Sequence, residues 1–338
     1  MTTESEISQL IKDYTPVLVL YPEIPAGTSR EQEWNGDFQA NGKSPLAYDY
    51  HPRDVRLVLE HSIFHEWFRW FRRRKNPTTW SGMLDRMERT RYRKNLDVFP
   101  NVRREDRGAF WERYASIQKD TNPNYARACY ARAVYNSSKT ELIVQYWYAY
   151  VYNDFWNCHE MDWEAVMMVF DVSESGIAPR LCAASAHVRG FKLEWGEVQK
   201  TNDHLELVND GTHPVVYVAH GSHAGYFNGS GRYFTAPEIV RRAAARLKKE
   251  PRKLIDFTTA FGEGTAFLVD AAVMPDEANG KWSGEWRWLN HRGRWGSRGD
   301  WDLEFGDSGP RGPKFSMLKW MDPFRWVETI CQSAEPPE

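Results

Sequence analysis

Apolar positions along the chain fall into short runs rather than long ones. Residues 129–134, 142–152, 163–170, 181–188, 205–207 and 215–219 are rich in Val, Leu, Met and aromatic side chains. Turn-forming clusters separate several of them, among them Asn136-Ser137-Ser138, Ser175-Gly176 and Asn209-Asp210-Gly211. Short β-branched and aromatic runs at this spacing predict an antiparallel β-sandwich. Residues 14–21, punctuated by Pro16 and followed by Pro22, predict a first strand, and residues 55–59 read as strand or short helix.

Helical spacing occurs in two places. Over residues 60–75, Ile63, Phe64, Trp67, Trp70 and Phe71 line up opposite a basic face, which predicts a helix. A core-facing helix with solvated arginines is the ordinary reading; a membrane surface or a nucleic acid is the alternative partner of such a face. Residues 80–120 continue charged and helical in character. We therefore expect one sandwich domain over residues 1–338, with a helical insertion at 60–120 packed on it. A further helix is expected at 236–250, where Pro237 stands in the first turn and Lys248 and Lys249 in the last. The fold class expected is mainly β with helical insertions, α+β overall.

Composition narrows the function. Lys plus Arg is 44 and Asp plus Glu 46, a formal charge of −2, which argues against a whole-chain nucleic-acid binder. The 16 Trp, 16 Tyr and 17 Phe give a core built from rings and exclude a disordered chain. No apolar stretch approaches the length of a membrane span. The polar, acidic residues 1–6 lack the features of a secretory leader. Cys129, Cys158, Cys182 and Cys331 show no paired spacing, which fits a reducing compartment and a cytoplasmic location.

Residues 152–164 form the densest polar cluster, set within the most apolar stretch. On a strand, Asp162 and Glu164 share a face that continues as Val166, Met168 and Phe170. Two carboxylates beside an apolar row need a positive partner, and no Lys or Arg occurs between Lys139 and Arg180. A divalent cation held by Asp154, His159, Asp162 and Glu164 would supply it. Oxygen donors favour Mg, Ca or Mn, while the mixed set also permits Zn or Fe. An ion pair with a distant arginine such as Arg292 or Arg294 is the alternative.

Further along, residues 215–219 run into a glycine turn that presents His220 and His223, and residues 184–186 lead to His187. Neutral imidazoles at such positions act as ligands, bases or acids. His187, His220 and His223 are therefore the candidate acid–base groups, with Glu160 and Cys158 as lesser ones.

These residues carry a resemblance. His159, Asp162, Trp163 and Glu164, with Ser185 and His187, are similar to the heptapeptide region of the necrosis- and ethylene-inducing-peptide-like proteins. The chain more closely resembles the vacuolar protein sorting-associated protein sixty-two family. The matching blocks are Tyr14-Thr15-Pro16, the box at 159–164, residues 214–224, and Gly293-Arg294-Trp295-Gly296 followed by the Gly-Pro-x-Gly-Pro motif at 309–313. The resemblance implies a β-sandwich holding a divalent cation through Asp154, His159, Asp162 and Glu164. The secreted toxin relatives bind sphingolipid glycans. This chain departs from them in its 60–120 insertion and its 236–250 segment.

The expected function is a cytoplasmic metal-dependent enzyme, a hydrolase, lyase or cyclase, acting on an apolar or aromatic small molecule. The alternative is a cation-dependent binder of glycans or lipid headgroups. The expected partners are a small-molecule substrate and, through residues 60–75, a peripheral membrane contact, with no nucleic acid and no transmembrane segment. Oligomeric state is left open.

Overall fold

The computed structural model describes residues 3–20, 51–66, 79–88, 94–100, 109, 113–114, 116–117, 122–126, 129–153, 159–186, 195–200, 205–209, 211–234, 255–258, 261, 264–297 and 308–334. Helix α1 (Glu4–Asp13) opens on a capping box. Thr3 Oγ1 accepts from Glu6 N, and the Glu6 carboxylate accepts from Thr3 N at 2.6 Å. Its apolar side, Ile7, Leu10 and Ile11, packs into the core. Strand β1 (Val17–Leu20) follows, buried throughout. Residues 55–61 resolve as helix α2 (Val55–His61), capped by the Asp54 carboxylate on Arg56 N.

The helix expected over 60–75 is not what forms at its start. Ser62 ends α2, and β2 (Ile63–Glu66) pairs antiparallel with β3 (Lys94–Asp97) across the intervening helix α3 (Trp80–Glu88). The ladder takes up backbone groups that a helix would have used, so a distant partner overrides local periodicity. The segment 60–120 is thus of mixed structure where described. Residues 67–75 and 236–250 lie outside the described residues.

The main sheet holds β4 (Cys129–Tyr135), β5 (Glu141–Asn153), β6 (His159–Ser173), β7 (Gly176–Ala186) and β8 (Trp195–Lys200) as an antiparallel meander. A second sheet is built on β10 (His213–Val218), with β9 (Leu207–Val208) and β11 (Gly225–Tyr226) beside it. β1 lies on its other side, and β14 (Thr265–Leu268) beyond that. A separate ladder pairs β12 (Arg232–Phe234) with β13 (Ile255–Phe257). Not every pairing is antiparallel as expected. β1 runs parallel to β10, and β15 (Ala271–Val273) runs parallel to β4. Both join segments far apart in sequence, where no hairpin turn dictates direction.

Alternation along β5 and β6 sends side chains to two apolar clusters. Tyr146, Tyr148, Val166, Met168 and Phe170 join Leu18, Val216 and Phe267 of the second sheet in one core. Trp147, Trp163, Ala165 and Met167 face the other way, into a cluster with Trp288, Trp295 and Trp326. Burial on both faces explains why these strands read as continuous apolar runs. Trp163 stacks on Trp288 at 5.6 Å and meets Trp295 edge-on at 5.3 Å. The terminal helices α4 (Met317–Met321) and α5 (Pro323–Ala334) are fastened by Arg132. Its guanidinium lies 3.5 Å from the Trp320 ring centroid and donates to Gln145, whose amide donates to Lys319 O. The chain is mainly β with helices, and no described helix is long and apolar enough to cross a membrane.

Candidate functional site

Asp162 and Glu164 stand near the start of β6, opposite Tyr150 and Tyr148 of β5. Both carboxylates are buried, at 0% and 4% exposure, and both begin the row that continues as Val166, Met168 and Phe170. The shared face expected from their spacing fits the cluster membership of those three residues.

The turn after β10 brings a histidine to them. Ala219 N donates to Ala224 O at 2.8 Å and His223 N to Ala219 O at 3.1 Å, closing the turn. Gly221 and His223 adopt positive φ, +78° and +60°. β11 then lies against β7, close enough that a Cβ on Gly225 would sit 2.9 Å from Ala184 Cβ. Gly225 is thus required by close approach. The result is an imidazole 3.3 Å from a carboxylate, His223 Nδ1 to Asp162 Oδ2, with both side chains wholly buried. The His223 ring stacks on Tyr150, with centroids 4.0 Å apart and 8° between the planes. Asp162 Oδ1 also accepts from Trp163 N at 3.0 Å.

Glu164 is held from β7. Ser185 Oγ donates to Glu164 Oε2 and accepts from Ala165 N at 2.9 Å. Burial, then the neighbouring Glu164 and Asp162 charges, push the Tyr150 phenol well above its ordinary pKa, so it stays protonated and able to donate.

His159 and Glu160 take other directions. His159 Nδ1 lies 2.7 Å from Met161 O, so its ring folds back on its own strand. Met161 has φ +56° and breaks the alternation there. Glu160 consequently meets the side of the sheet that carries Trp163, accepting from Val98 N at 2.7 Å and Ser297 N at 3.0 Å. Burial, reinforced by Asp97, raises its pKa to about 8. The late glycine motifs close over it. Trp295 N donates to Pro310 O, Gly309 N donates to Ser297 O, and a Cβ on Gly296 would lie 2.5 Å from Glu160 O. Arg294, one of the arginines considered as a counter-charge, donates Nη1 to Gly309 O.

Of the residues expected from sequence, the structure brings His223 to Asp162, while Glu164, on the same face of β6, is engaged by Ser185. His220 is buried in the same turn. Asp154, Cys158 and His187 lie outside the described residues. As donors, two carboxylates and an imidazole suit a divalent cation in kind. Among the described residues, however, no three His, Cys, Asp or Glu side chains are gathered as a group able to hold an ion. Sequence reading missed Ser185 and Tyr150 as members of the cluster. In the sequence Ser185 stands out only as part of the run that leads to His187, and Tyr150 becomes visible only once the β5–β6 register is known.

Comparison with protein-family models, with curated proteins and with solved structures finds no match.

Proposed function

We propose that the chain is an enzyme acting on an apolar or aromatic small molecule by acid–base chemistry at the Asp162–His223 pair. The contact between these two side chains, made across two sheets in a dry interior, supports the reading. A carboxylate at Nδ1 accepts that nitrogen's hydrogen and so fixes the imidazole tautomer and ring plane, which leaves Nε2 as the nitrogen that takes up and returns a proton. Glu164, held by Ser185, is the second carboxylate of the site, and Tyr150 supplies the surface on which the ring rests. The reaction class proposed is hydrolysis, elimination or cyclisation in a reducing, cytoplasmic setting.

A divalent cation on Asp162 and Glu164 belongs to the proposal as well, on the chemistry of the donors and on the resemblance noted above. When bound, it would polarise a substrate oxygen or activate water.

The test compares the full chain with His223→Ala on an extract of apolar metabolites, followed by mass spectrometry. Product formation lost in His223→Ala at an unchanged melting temperature supports the enzyme. Products that persist in the variant, or none from either protein, overturn it. Elemental analysis of the purified chain, with Asp162→Asn and Glu164→Gln beside it, tests the cation. A stoichiometric metal lost in both variants supports that part, and no retained metal removes it.

A further inference from the structure

Arg132 stands on β4 in register with Gln145 of β5, on the face of the main sheet that carries Trp147 and Trp320 rather than Asp162. Its guanidinium is fixed at three points. Nε donates to Gln145 Oε1 at 2.6 Å, Nη2 donates to Trp320 O, and the plane lies 3.5 Å from the Trp320 ring centroid. All three partners are uncharged, and no carboxylate among the described residues lies within ion-pair distance. A half-buried arginine ordinarily has an acid in contact.

The neighbouring charges do not supply one. Glu277 is the acid whose field reaches Arg132, but its Oε1 accepts from the Lys314 ammonium, which also donates to Gly280 O at 2.9 Å. Asp322 is exposed and accepts from Arg325 N at the start of α5. Lys319 adds a further ammonium on α4, 5.9 Å from the Trp326 ring centroid and without an ion pair among the described residues. Burial lowers the Arg132 pKa to about 10 against the pull of Glu277, so the charge is kept at neutral pH.

A guanidinium has five N–H groups, and the bonds to Gln145 and Trp320 use one on Nε and one on Nη2. Both on Nη1 and one on Nη2 remain, and Nη1 is not sealed from solvent. Two such donors on adjacent nitrogens match two oxygens of one anion. The stack and the two bonds already hold the side chain, so little rotamer freedom is lost when an anion docks. We propose that the Arg132 fork is a binding site for a small oxyanion, a phosphate or carboxylate group.

Phosphate and acetate, each titrated into the full chain with chloride holding the ionic strength constant, test this. The Arg132 Nε–H resonance is followed by 15N NMR, and affinity is read from the rise in melting temperature. A saturable shift of that resonance is expected, and the anion that binds more tightly names the group the site takes. Arg132→Lys keeps a charge but loses the fork, and should weaken binding about ten-fold. No saturable response, a response equal to that of chloride, or undiminished affinity in Arg132→Lys would mean an adventitious ion only and overturn the proposal. Should that variant fail to fold, an Arg132 resonance unmoved in the unsubstituted chain overturns it just as well.

Discussion

His223 Nδ1 lies 3.3 Å from Asp162 Oδ2, although the two are 61 positions apart in the chain, Asp162 on β6 of the main sheet and His223 in the turn that joins β10 to β11 of the second. The contact depends on the turn at residues 219–224, closed by its own backbone hydrogen bonds and followed by β11, whose Gly225 lies close against Ala184 of β7. Both side chains are wholly buried, so neither is weakened by solvent. A double-mutant cycle with Asp162→Asn and His223→Ala, read by urea unfolding, should give a coupling energy of about 1–3 kcal/mol. Additive effects would mean that the two side chains touch without supporting each other.

Gly225 sets the distance between β11 and β7. A methyl group there would meet Ala184 Cβ at 2.9 Å and Val216 Cγ1 at 3.1 Å, so one layer must shift. Gly225→Ala is expected to lose about 1–3 kcal/mol. It should also move the His223 ring off Tyr150, visible as a change in the His223 side-chain NMR shifts. Unchanged shifts would show that the turn holds its place without the glycine.

Gly296 combines φ +122° with a Cβ position 2.5 Å from the Glu160 carbonyl oxygen. Backbone cannot retreat as a side chain can. Gly296→Ala should therefore cost about 3 kcal/mol or more, measured by chemical denaturation, and exceed the loss in Gly225→Ala.

Ser185→Ala removes the hydroxyl donor to Glu164 and the acceptor for Ala165 N. A loss of about 1–3 kcal/mol is expected. If the proposed chemistry runs at this site, turnover should fall as well, whereas Ser185→Thr keeps the hydroxyl and should retain more of both.

The pH dependence of stability should carry the mark of His291. This ring is buried between Phe64 and Trp295, and burial lowers its pKa to about 4. Between about 4 and the ordinary value of 6.5, the unfolded chain binds a proton that the folded one does not. Stability from this group is therefore present above 6.5 and lost as pH falls toward 4. Replacing it by Gln should flatten that part of the stability profile. Parallel profiles for the two proteins would exclude His291 as the cause.

Much of the meander was readable before any coordinates. The runs from 129 to 186 become β4 to β7, because alternation and turn residues are local signals and antiparallel hairpins join neighbours in sequence. Helix α1 was overlooked, although Thr3 and Glu6 spell a capping box. The stripe from Ile63 to Phe71 misled because helical spacing does not report a strand partner thirty residues away. Asp162 and Glu164 were readable as a pair, since i and i+2 on a strand share a face. Glu160 was not separable from them, because the reversal at Met161 is a backbone conformation that no spacing rule announces.

Sequence alone determined the strand-rich architecture and the face on which the two acids lie, because side-chain alternation is a property of a single extended segment. Tertiary structure decided that Asp162 meets His223 and that Glu164 meets Ser185. The first contact requires the turn of a second sheet to approach the main one within a methyl group's width, a distance set by packing and by the missing side chain of Gly225, and the second requires β7 to pair beside β6.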